Sequence, residues 1–179
     1  MPQEIALLTL SEVGITDELP ETGSTLEQNA LQKAREAHRR CGLPCVADDT
    51  GLEVDVLEGA PGVRSARYAG EARSSQANIQ LLIEKMNGLK PRTARFRTVL
   101  ALVDEQGEYL VEGAVDGSIT TAPRGMGGFG YDPVFLPVGS ERTFSEMSAS
   151  AKNSMSHRAR AVAQFAKFLE ERMTRGSLT

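Results

Sequence analysis

The longest continuous strand-forming stretch of the chain, Thr93 to Thr120, does most to limit the possible fold. Thr93 to Val103 alternates polar and apolar residues at first and becomes continuously apolar later, which is typical of a strand that enters a core. Gln106-Gly107 is a turn signal, and Tyr109 to Thr120 is a second strand-like run. The two runs predict a long antiparallel hairpin, against which the rest of the chain must pack.

Helical segments alternate with shorter strands on both sides of this hairpin. Ser24 or Thr25 is the predicted cap of a first helix that Gly42 ends, and Ser74 or Ser75 caps a second that ends at Gly88. Met155 to Met173 predicts a closing helix. Its buried stripe is expected to be Val162, Phe165, Ala166 and Leu169. Short strands are predicted at 5–10 and 131–136. The pattern favours an α/β fold with a long mixed central sheet flanked by helices.

Composition excludes several classes of protein. The chain has 179 residues, 20 of them basic and 24 acidic, so its net charge of −4 argues against non-specific nucleic-acid binding as its main role. The length suits one domain, 1–179. No apolar run approaches the length of a membrane span. The two cysteines, Cys41 and Cys45, have neither CxxC spacing nor a disulfide framework, which indicates reduced thiols and a cytoplasmic protein.

The acidic stretch Ala47-Asp48-Asp49-Thr50-Gly51 is the first candidate for chemistry. An apolar run precedes it and an alternating run follows it, so we predict a strand, a turn that carries the acids, and a second strand. Carboxylates at a strand end can hold a hard cation such as Mg²⁺ through oxygen ligands. An Asp-rich turn without function is the alternative, because Asp and Gly form turns anyway.

The glycine-rich stretch Gly125 to Asp132 is the second candidate. Its bare backbone amides can approach an anion or a flat ring. Phe129 and Tyr131 could stack on a base, and Asp132 could accept hydrogen bonds from it. A flexible hairpin loop is the alternative, since the stretch matches neither GxGxxG nor GxxxxGK[ST].

A basic group, Lys152, His157 and Arg158, precedes or begins the closing helix. Lys and Arg suit phosphate oxygens, and Ser156 could cap the helix, whose N-terminal amides also favour an anion. A solvated basic patch is the alternative reading.

Glu21 lies in a loop before the first helix, from which its carboxylate could reach a metal or remain exposed. Asn29 and Lys33 share one face of that helix, which could look into the acidic stretch or into water. No Ser-His-Asp arrangement and no zinc spacing can be argued from the sequence.

Together these stretches resemble the inosine/xanthosine triphosphate pyrophosphatase family. The match runs from about residue 4 to 171, and Gln28 stands where that family often has Glu. Five ordered motifs carry the resemblance: Pro20-Glu21-Thr22-Gly23-Ser24-Thr25-Leu26-Glu27-Gln28-Asn29-Ala30, Ala47-Asp48-Asp49-Thr50-Gly51-Leu52, Gly59-Ala60-Pro61-Gly62 with Ser65-Ala66-Arg67-Tyr68, Gly127-Gly128-Phe129-Gly130-Tyr131-Asp132-Pro133, and Lys152 with Ser156-His157-Arg158.

The resemblance assigns roles to these positions. It implies that Asp49 is the Mg²⁺-linked acid that activates water, with Glu21 as the second metal carboxylate and Thr50 in contact with substrate. Base and phosphates would be held by Phe129, Gly130, Tyr131, Asp132, Lys152, His157 and Arg158. The implied activity is hydrolysis of ITP, dITP and XTP to the monophosphate and pyrophosphate. A two-lobed fold with a cleft and a homodimer are also implied.

One departure from the family pattern affects these expectations. Family members begin with a strand and a Thr/Ser-x-Asn-x-x-Lys loop that wraps the triphosphate. This chain has no such segment, and roughly 25 residues are absent by comparison of motif positions. Unpaired sheet edges and low activity would follow. The alternative function is therefore a nucleotide-binding, catalytically impaired protein. A Maf-type pyrophosphatase is a third option, which the motif from Phe129 to Asp132 argues against.

Overall fold

The computed structural model describes residues 5–174, which contain four α-helices and five β-strands. The helices are α1 (Leu26–Cys41), α2 (Ser75–Lys85), α3 (Ala149–Met155) and α4 (His157–Thr174). The strands are β1 (Cys45–Val54), β2 (Pro61–Gly62), β3 (Thr93–Asp104), β4 (Gly107–Ile119) and β5 (Phe135–Pro137). None of the helices in this part of the chain is long and apolar enough to cross a membrane.

The strands form one sheet in the order β2-β1-β3-β4-β5, flanked by helices, so the predicted α/β architecture is confirmed. The sheet is not mixed, however, because every strand pairing among residues 5–174 is antiparallel. The β3–β4 hairpin is present as predicted. Its turn is stabilised by Asp104, whose Oδ1 accepts hydrogen bonds from the amides of Gln106 and Gly107 at 2.9 and 3.1 Å.

The acidic stretch lies within one unbroken strand, which corrects the predicted strand–turn–strand. β1 pairs with β3 from Cys45 opposite Val103 to Val54 opposite Ala94. The turn preference of Asp and Gly is overridden here by a full ladder of hydrogen bonds to a long, buried neighbour. Because side chains alternate along a strand, consecutive acids in β1 must point to opposite faces of the sheet.

Helix α1 covers one face of the sheet. The hydroxyl of Thr25 caps it by accepting from the amide of Gln28 at 3.2 Å, and Gly42 ends it in the left-handed conformation, as the sequence predicted. Small and apolar side chains of α1 pack on the C-terminal half of β3. The cluster comprises Leu26, Ala30, Ala34, Val99, Ala101 and Val103.

Helix α4 covers the opposite face, and its contact stripe differs from the predicted one. A Cβ on Gly113 of β4 would lie 2.2 Å from the amide nitrogen of Ala161, so the two backbones meet there. This close approach orients the helix and buries His157, Ala161 and Arg172. Val162, predicted to be buried, lies one residue further along the helix and is 52% exposed. Ala166 is also exposed, while Phe165 and Leu169 are half-buried.

Two of the predicted short strands also differ. Residues 5–10 do not form a strand, and Leu7 is 84% exposed, because no described strand lies beside this segment to accept its hydrogen bonds. The strand predicted at 131–136 is limited to β5, since a turn closed by the amide of Val134 on the carbonyl of Tyr131 precedes it. Within residues 5–174, the edge of β1 away from β3 pairs only with β2, at Leu52 and Glu53.

Candidate active site on two faces of strand β1

Asp48 and Asp49 belong to two different clusters of side chains. Asp49 points towards α1, where its Oδ2 accepts from Nδ2 of Asn29 at 3.0 Å. Asp48 points towards α4, where its Oδ2 accepts from Nη2 of Arg158 at 2.7 Å. The strand therefore separates an acidic centre on the α1 face from a polar and aromatic cluster on the α4 face.

The acidic centre contains two carboxylates on either side of one ammonium group. Nζ of Lys33 lies 2.6 Å from Oε1 of Glu21 and 3.7 Å from Oδ1 of Asp49. Nη2 of Arg67 contacts the other oxygen of Glu21 at 3.0 Å. Asn29 and Lys33 therefore face the acidic stretch rather than water, which resolves the alternative that the sequence left open.

Hydrogen bonds to helix α1 hold the loop that carries Glu21. The amide of Thr22 donates to Oε1 of Gln32 at 2.9 Å, and the amide of Gly23 donates to Oδ1 of Asn29 at 2.7 Å. The side chain of Asn29 thus accepts a hydrogen bond from the loop through Oδ1 and donates one to Asp49 through Nδ2.

Burial and charge act in opposite directions on the two acids. Burial raises the pKa of Asp49 and the charge of Glu21 adds to this effect, although Asn29 and Lys33 oppose it. Burial also acts to raise the pKa of Glu21, but contacts with Lys33 and Arg67 outweigh it and hold that pKa below its usual value. Glu21 is therefore the more readily ionised acid of the pair.

The donor set of this centre fits a hard divalent cation that is shared with a substrate. Lys33 already places a positive charge between the carboxylates of Glu21 and Asp49. Within residues 5–174, no three His, Cys, Asp or Glu side chains surround a common point. One or two carboxylates completed by phosphate oxygens and water is the usual arrangement for Mg²⁺. A cavity of about 340 Å³ next to the centre provides the space, and it is lined by Glu21, Thr22, Gly23, Asn29, Val63, Arg64, Arg67 and Glu71.

A second cavity, of about 270 Å³, opens on the α4 side of β1. Its size is close to the lower end of small-molecule pockets, roughly 300 Å³. Residues that the sequence assigned to substrate binding supply much of its lining: Thr50, Phe129, Gly130, Tyr131, Asp132, His157 and Arg158. Leu52, Ser65, Phe96 and Asn78 are among the residues that sequence reasoning did not assign to it.

Aromatic rings form the walls of this second cavity. The ring of His157 stacks on that of Phe96 with centroids 4.7 Å apart, and Tyr131 is buried with its hydroxyl donating to the carbonyl of Ser65 at 2.9 Å. Phe129 remains 76% exposed. Phe129 is therefore the ring with the most surface free to cover a flat ligand.

Asp132, which lines the cavity, forms a largely buried ion pair with Lys152, which does not. Nζ of Lys152 lies 2.5 Å from Oδ2 of Asp132, and it also lies 4.4 Å from the centre of the Phe129 ring. The same carboxylate oxygen accepts from the amide of Phe129 at 2.8 Å. Lys152, assigned to base or phosphates from the sequence, thus contacts the loop that carries Phe129, and it does not line the cavity itself.

His157 is buried in its neutral form. Burial, together with the positive charges of Arg158 and Lys152, lowers the pKa of His157 to about 4. Among the described residues its Nδ1 has no hydrogen-bond partner.

Arg158 contacts Asp48, and its Nη2 also lies 3.4 Å from the hydroxyl of Thr50. Ser156 begins α4 by accepting from the amide of Ala159 at 3.2 Å.

Gly51 lies between the two clusters and permits a close contact. A Cβ at this position would lie 2.6 Å from the carbonyl oxygen of Gly62 in β2. The absence of a side chain at Gly51 therefore lets β2 lie close to β1.

The structure brings the predicted site residues together in two groups. Glu21 and Asp49 lie in the acidic centre, and the other predicted residues lie in or behind the second cavity. Phe96 was missed because its partner His157 is distant in sequence, so no local pattern signals their stacking. Lys33 had been placed on the helix face of Asn29, and Arg67 stood in a quoted motif, but the contacts of both with Glu21 depend on how the loop folds.

Comparisons with known proteins agree with the resemblance found in the motifs. A model described as the Ham1 family matches residues 1–168. The dITP/XTP pyrophosphatase of Porphyromonas gingivalis is 52% identical over 167 residues, which cover 93% of this chain and 86% of that protein. The solved structure of a HAM1 protein from Coxiella burnetii matches with a TM-score of 0.89 and 39% identity, covering 94% of this chain and 88% of that one.

A second solved structure carries an enzyme name. The nucleoside-triphosphatase / dITP/XTP pyrophosphatase from Mycobacterium abscessus matches with a TM-score of 0.80 and 45% identity, covering 90% of this chain and 84% of that one. Because the family model spans nearly all of the sequence and these relatives are well above 30% identical, the chain belongs to the Ham1 family.

Proposed function

We propose that this chain hydrolyses the aberrant purine nucleoside triphosphates ITP, dITP and XTP to monophosphate and pyrophosphate, with Mg²⁺ as cofactor. Membership of the Ham1 family and the names of its relatives support nucleoside triphosphate hydrolysis. One structural observation carries the proposal further. An acidic centre at Asp49 and an aromatic cavity at Thr50 start from consecutive residues of one strand, on its two faces.

On the acidic side, the chain positions the groups that cleavage needs. Glu21 and Asp49 would hold Mg²⁺, which would neutralise phosphate charge when bound. Asp49 would orient or deprotonate the attacking water. Asn29 keeps the Asp49 carboxylate in place, while Lys33 and Arg67 supply positive charge for phosphate oxygens.

On the cavity side, the chain would select the base. Phe129 would cover the purine ring, and the buried Asp132–Lys152 pair fixes the loop that carries Phe129. A pocket whose polar groups pair with a 6-oxo purine leaves those groups unsatisfied when adenine is bound. His157 and Arg158 lie at the cavity and are placed to contact the base or the nearest phosphate.

A second candidate function is nucleotide binding without effective turnover. The unpartnered edge of β1 over 45–51, among residues 5–174, favours it, because the backbone there lacks a neighbour that could add phosphate ligands. In this reading the cavity binds the base, and the phosphates are held only by the cations of the acidic centre.

One assay separates the candidates. Purified chain is incubated with XTP, ITP, dITP, ATP or GTP and Mg²⁺, and pyrophosphate and nucleotide products are quantified, with EDTA as control. Turnover of XTP and ITP at least about 100-fold above that of ATP supports the proposed hydrolase. Saturable calorimetric binding of ITP without turnover supports the second candidate. Absence of both contradicts the two proposals.

We also propose that the chain works as a homodimer, which rests on the family resemblance, and that it is cytoplasmic, which rests on the reduced thiols expected of Cys41 and Cys45. Light scattering during gel filtration tests the assembly, and a monomer at micromolar concentration would contradict it.

A further inference from the structure

The two cysteines of the chain lie next to each other in the fold. Cys41 is the last residue of α1 and Cys45 is the first residue of β1. Their sulfur atoms are 3.5 Å apart, and both thiols are free and partly exposed. The proposed hydrolysis uses neither of them, so their proximity has no explanation in the active site.

The connection between them can absorb the movement that a bond requires. A disulfide has sulfur atoms about 2.05 Å apart, so the two atoms must approach each other by about 1.5 Å. Gly42 ends the helix, and Leu43, between the cysteines, is 44% exposed. Residues 42–44 belong to neither the helix nor the strand, so the shift need not disturb the strand ladder.

We propose that Cys41 and Cys45 form a reversible oxidation site, in which a low-molecular-weight disulfide converts the two thiols into an intramolecular disulfide. The Cys41 thiolate attacks one sulfur of the small disulfide and releases one small thiolate. Cys45 then loses its proton and attacks the Cys41 sulfur, which releases the second. The protein loses two protons and two electrons, and the small disulfide takes them up to become two thiols.

The surroundings of Cys45 affect the rate of the second step. Burial, with a further contribution from the adjacent Cys41, raises the pKa of the Cys45 thiol to about 12. Little Cys45 thiolate is therefore present at neutral pH, which slows its attack on the mixed disulfide. Ring closure should accelerate as the pH is raised.

The disulfide would join the two elements that position the acidic centre. Asn29 and Lys33 lie on α1, and Asp49 lies on β1 four residues after Cys45. The start of β1 also lies on the unpartnered edge described above. Closing a loop of five residues should raise the thermal midpoint by about 5 °C. Turnover should change by less than about twofold, because Asn29 and Lys33 already hold Asp49.

The test uses the full chain, incubated with oxidised glutathione and then freed of it. Intact mass, alkylation of remaining thiols and a thermal scan are measured before and after addition of dithiothreitol. The Cys41→Ser and Cys45→Ser variants are matched controls that cannot form the bond. We expect a loss of about 2 Da, no alkylation, and a midpoint rise that dithiothreitol reverses in the parent only.

Three results would overturn the inference. These are retention of two glutathiones at the end point at pH 9, disulfide-linked dimers on a non-reducing gel, or the same midpoint rise in either serine variant. The readouts of mass and midpoint need no nucleotide hydrolysis, so the inference can fail or hold independently of the proposed function.

Discussion

The two faces of strand β1 are built by different means. On the α4 face, the cavity is backed by aromatic core residues and by the buried Asp132–Lys152 pair, with 3% of the Asp132 side chain exposed. On the α1 face, the acidic centre is held mainly by ion pairs of a loop, in which Glu21 contacts Lys33 and Arg67. The first arrangement is part of the core, and the second is a set of charges that a ligand can rearrange.

The two faces therefore differ in rigidity. Selecting a base, as we propose for the cavity, requires fixed walls, and the cavity obtains them from packing, as in the contact of Phe96 with His157. Binding phosphates and a cation, as we propose for the acidic centre, requires charges that exchange partners, and Lys33 would leave Glu21 if a metal took its place. Substitutions in the acidic centre on the α1 face should therefore change turnover. Substitutions in the cavity on the α4 face should change stability and base affinity together.

Asp49→Asn should have the largest effect on turnover. It removes the carboxylate from the acidic centre while keeping the shape of the side chain, so we expect a loss of about 1,000-fold in Mg²⁺-dependent pyrophosphate release from XTP. The matched control is Asp48→Asn, which removes the adjacent acid from the other face and should cost less than about tenfold. Equal rates for Asp49→Asn and the parent would exclude Asp49 from the mechanism.

Lys152→Met should have the largest effect on stability. It leaves the buried carboxylate of Asp132 without its cation, which should cost about 3 kcal/mol of unfolding free energy and lower the affinity for inosine and ITP alike. Denaturant unfolding and calorimetric titration with both ligands measure this. The double variant Lys152→Met, Asp132→Asn should recover part of the stability. A loss confined to ITP would place Lys152 on the phosphates instead.

Acidic pH should lower the unfolding free energy through His157, which lies on the α4 face. The pKa of His157 is about 4 in the folded chain, below its ordinary value of 6.5, so between these pH values the unfolded chain binds a proton at His157 and the folded chain does not. The contribution of neutral His157 to the unfolding free energy is therefore complete above pH 6.5. It is lost as the pH falls towards 4, by up to about 3 kcal/mol. Unfolding free energies from pH 7 to 4.5 should therefore fall more steeply for the parent than for His157→Gln. Parallel profiles would contradict the neutral, buried state.

Much of the fold was predictable because its signals are local. The capped helix α1 and the β3–β4 hairpin follow from periodicity, Thr25, Gly42 and the Gln106-Gly107 turn, and the structure agrees with each. Asp48 and Asp49 were misread as a turn because their strand is specified by β3, which lies about fifty residues further along the chain. The stripe of α4 was misread because Gly113, on another element, orients that helix.

The site was predictable in its members and less so in its contacts. Motifs pointed to Glu21, Asp49 and the residues of the cavity, although their roles stay predictions. No pattern in the sequence could show that Lys152 contacts Asp132, or that the two adjacent acids serve different clusters. Those facts depend on strand alternation and on elements that meet only in the folded chain.

The smallest effects should come from the two helix caps, one on each face. Thr25 caps α1, whose first turns carry Asn29 and Lys33, and Ser156 caps α4, whose first turn carries His157 and Arg158. Replacing either hydroxyl by Ala removes one hydrogen bond to a helix amide, so each variant should lose about 1 kcal/mol of unfolding free energy.

The two cap variants should differ in kinetics even though their stabilities match. Thr25→Ala loosens the turn that orients Asn29 on Asp49, so kcat for XTP should fall about threefold with KM little changed. Ser156→Ala loosens the residues that line the cavity, so KM should rise by a similar factor with kcat little changed. Steady-state kinetics at saturating Mg²⁺ measures both. If the two variants shifted kcat and KM in the same proportions, the division of labour between the faces would be wrong.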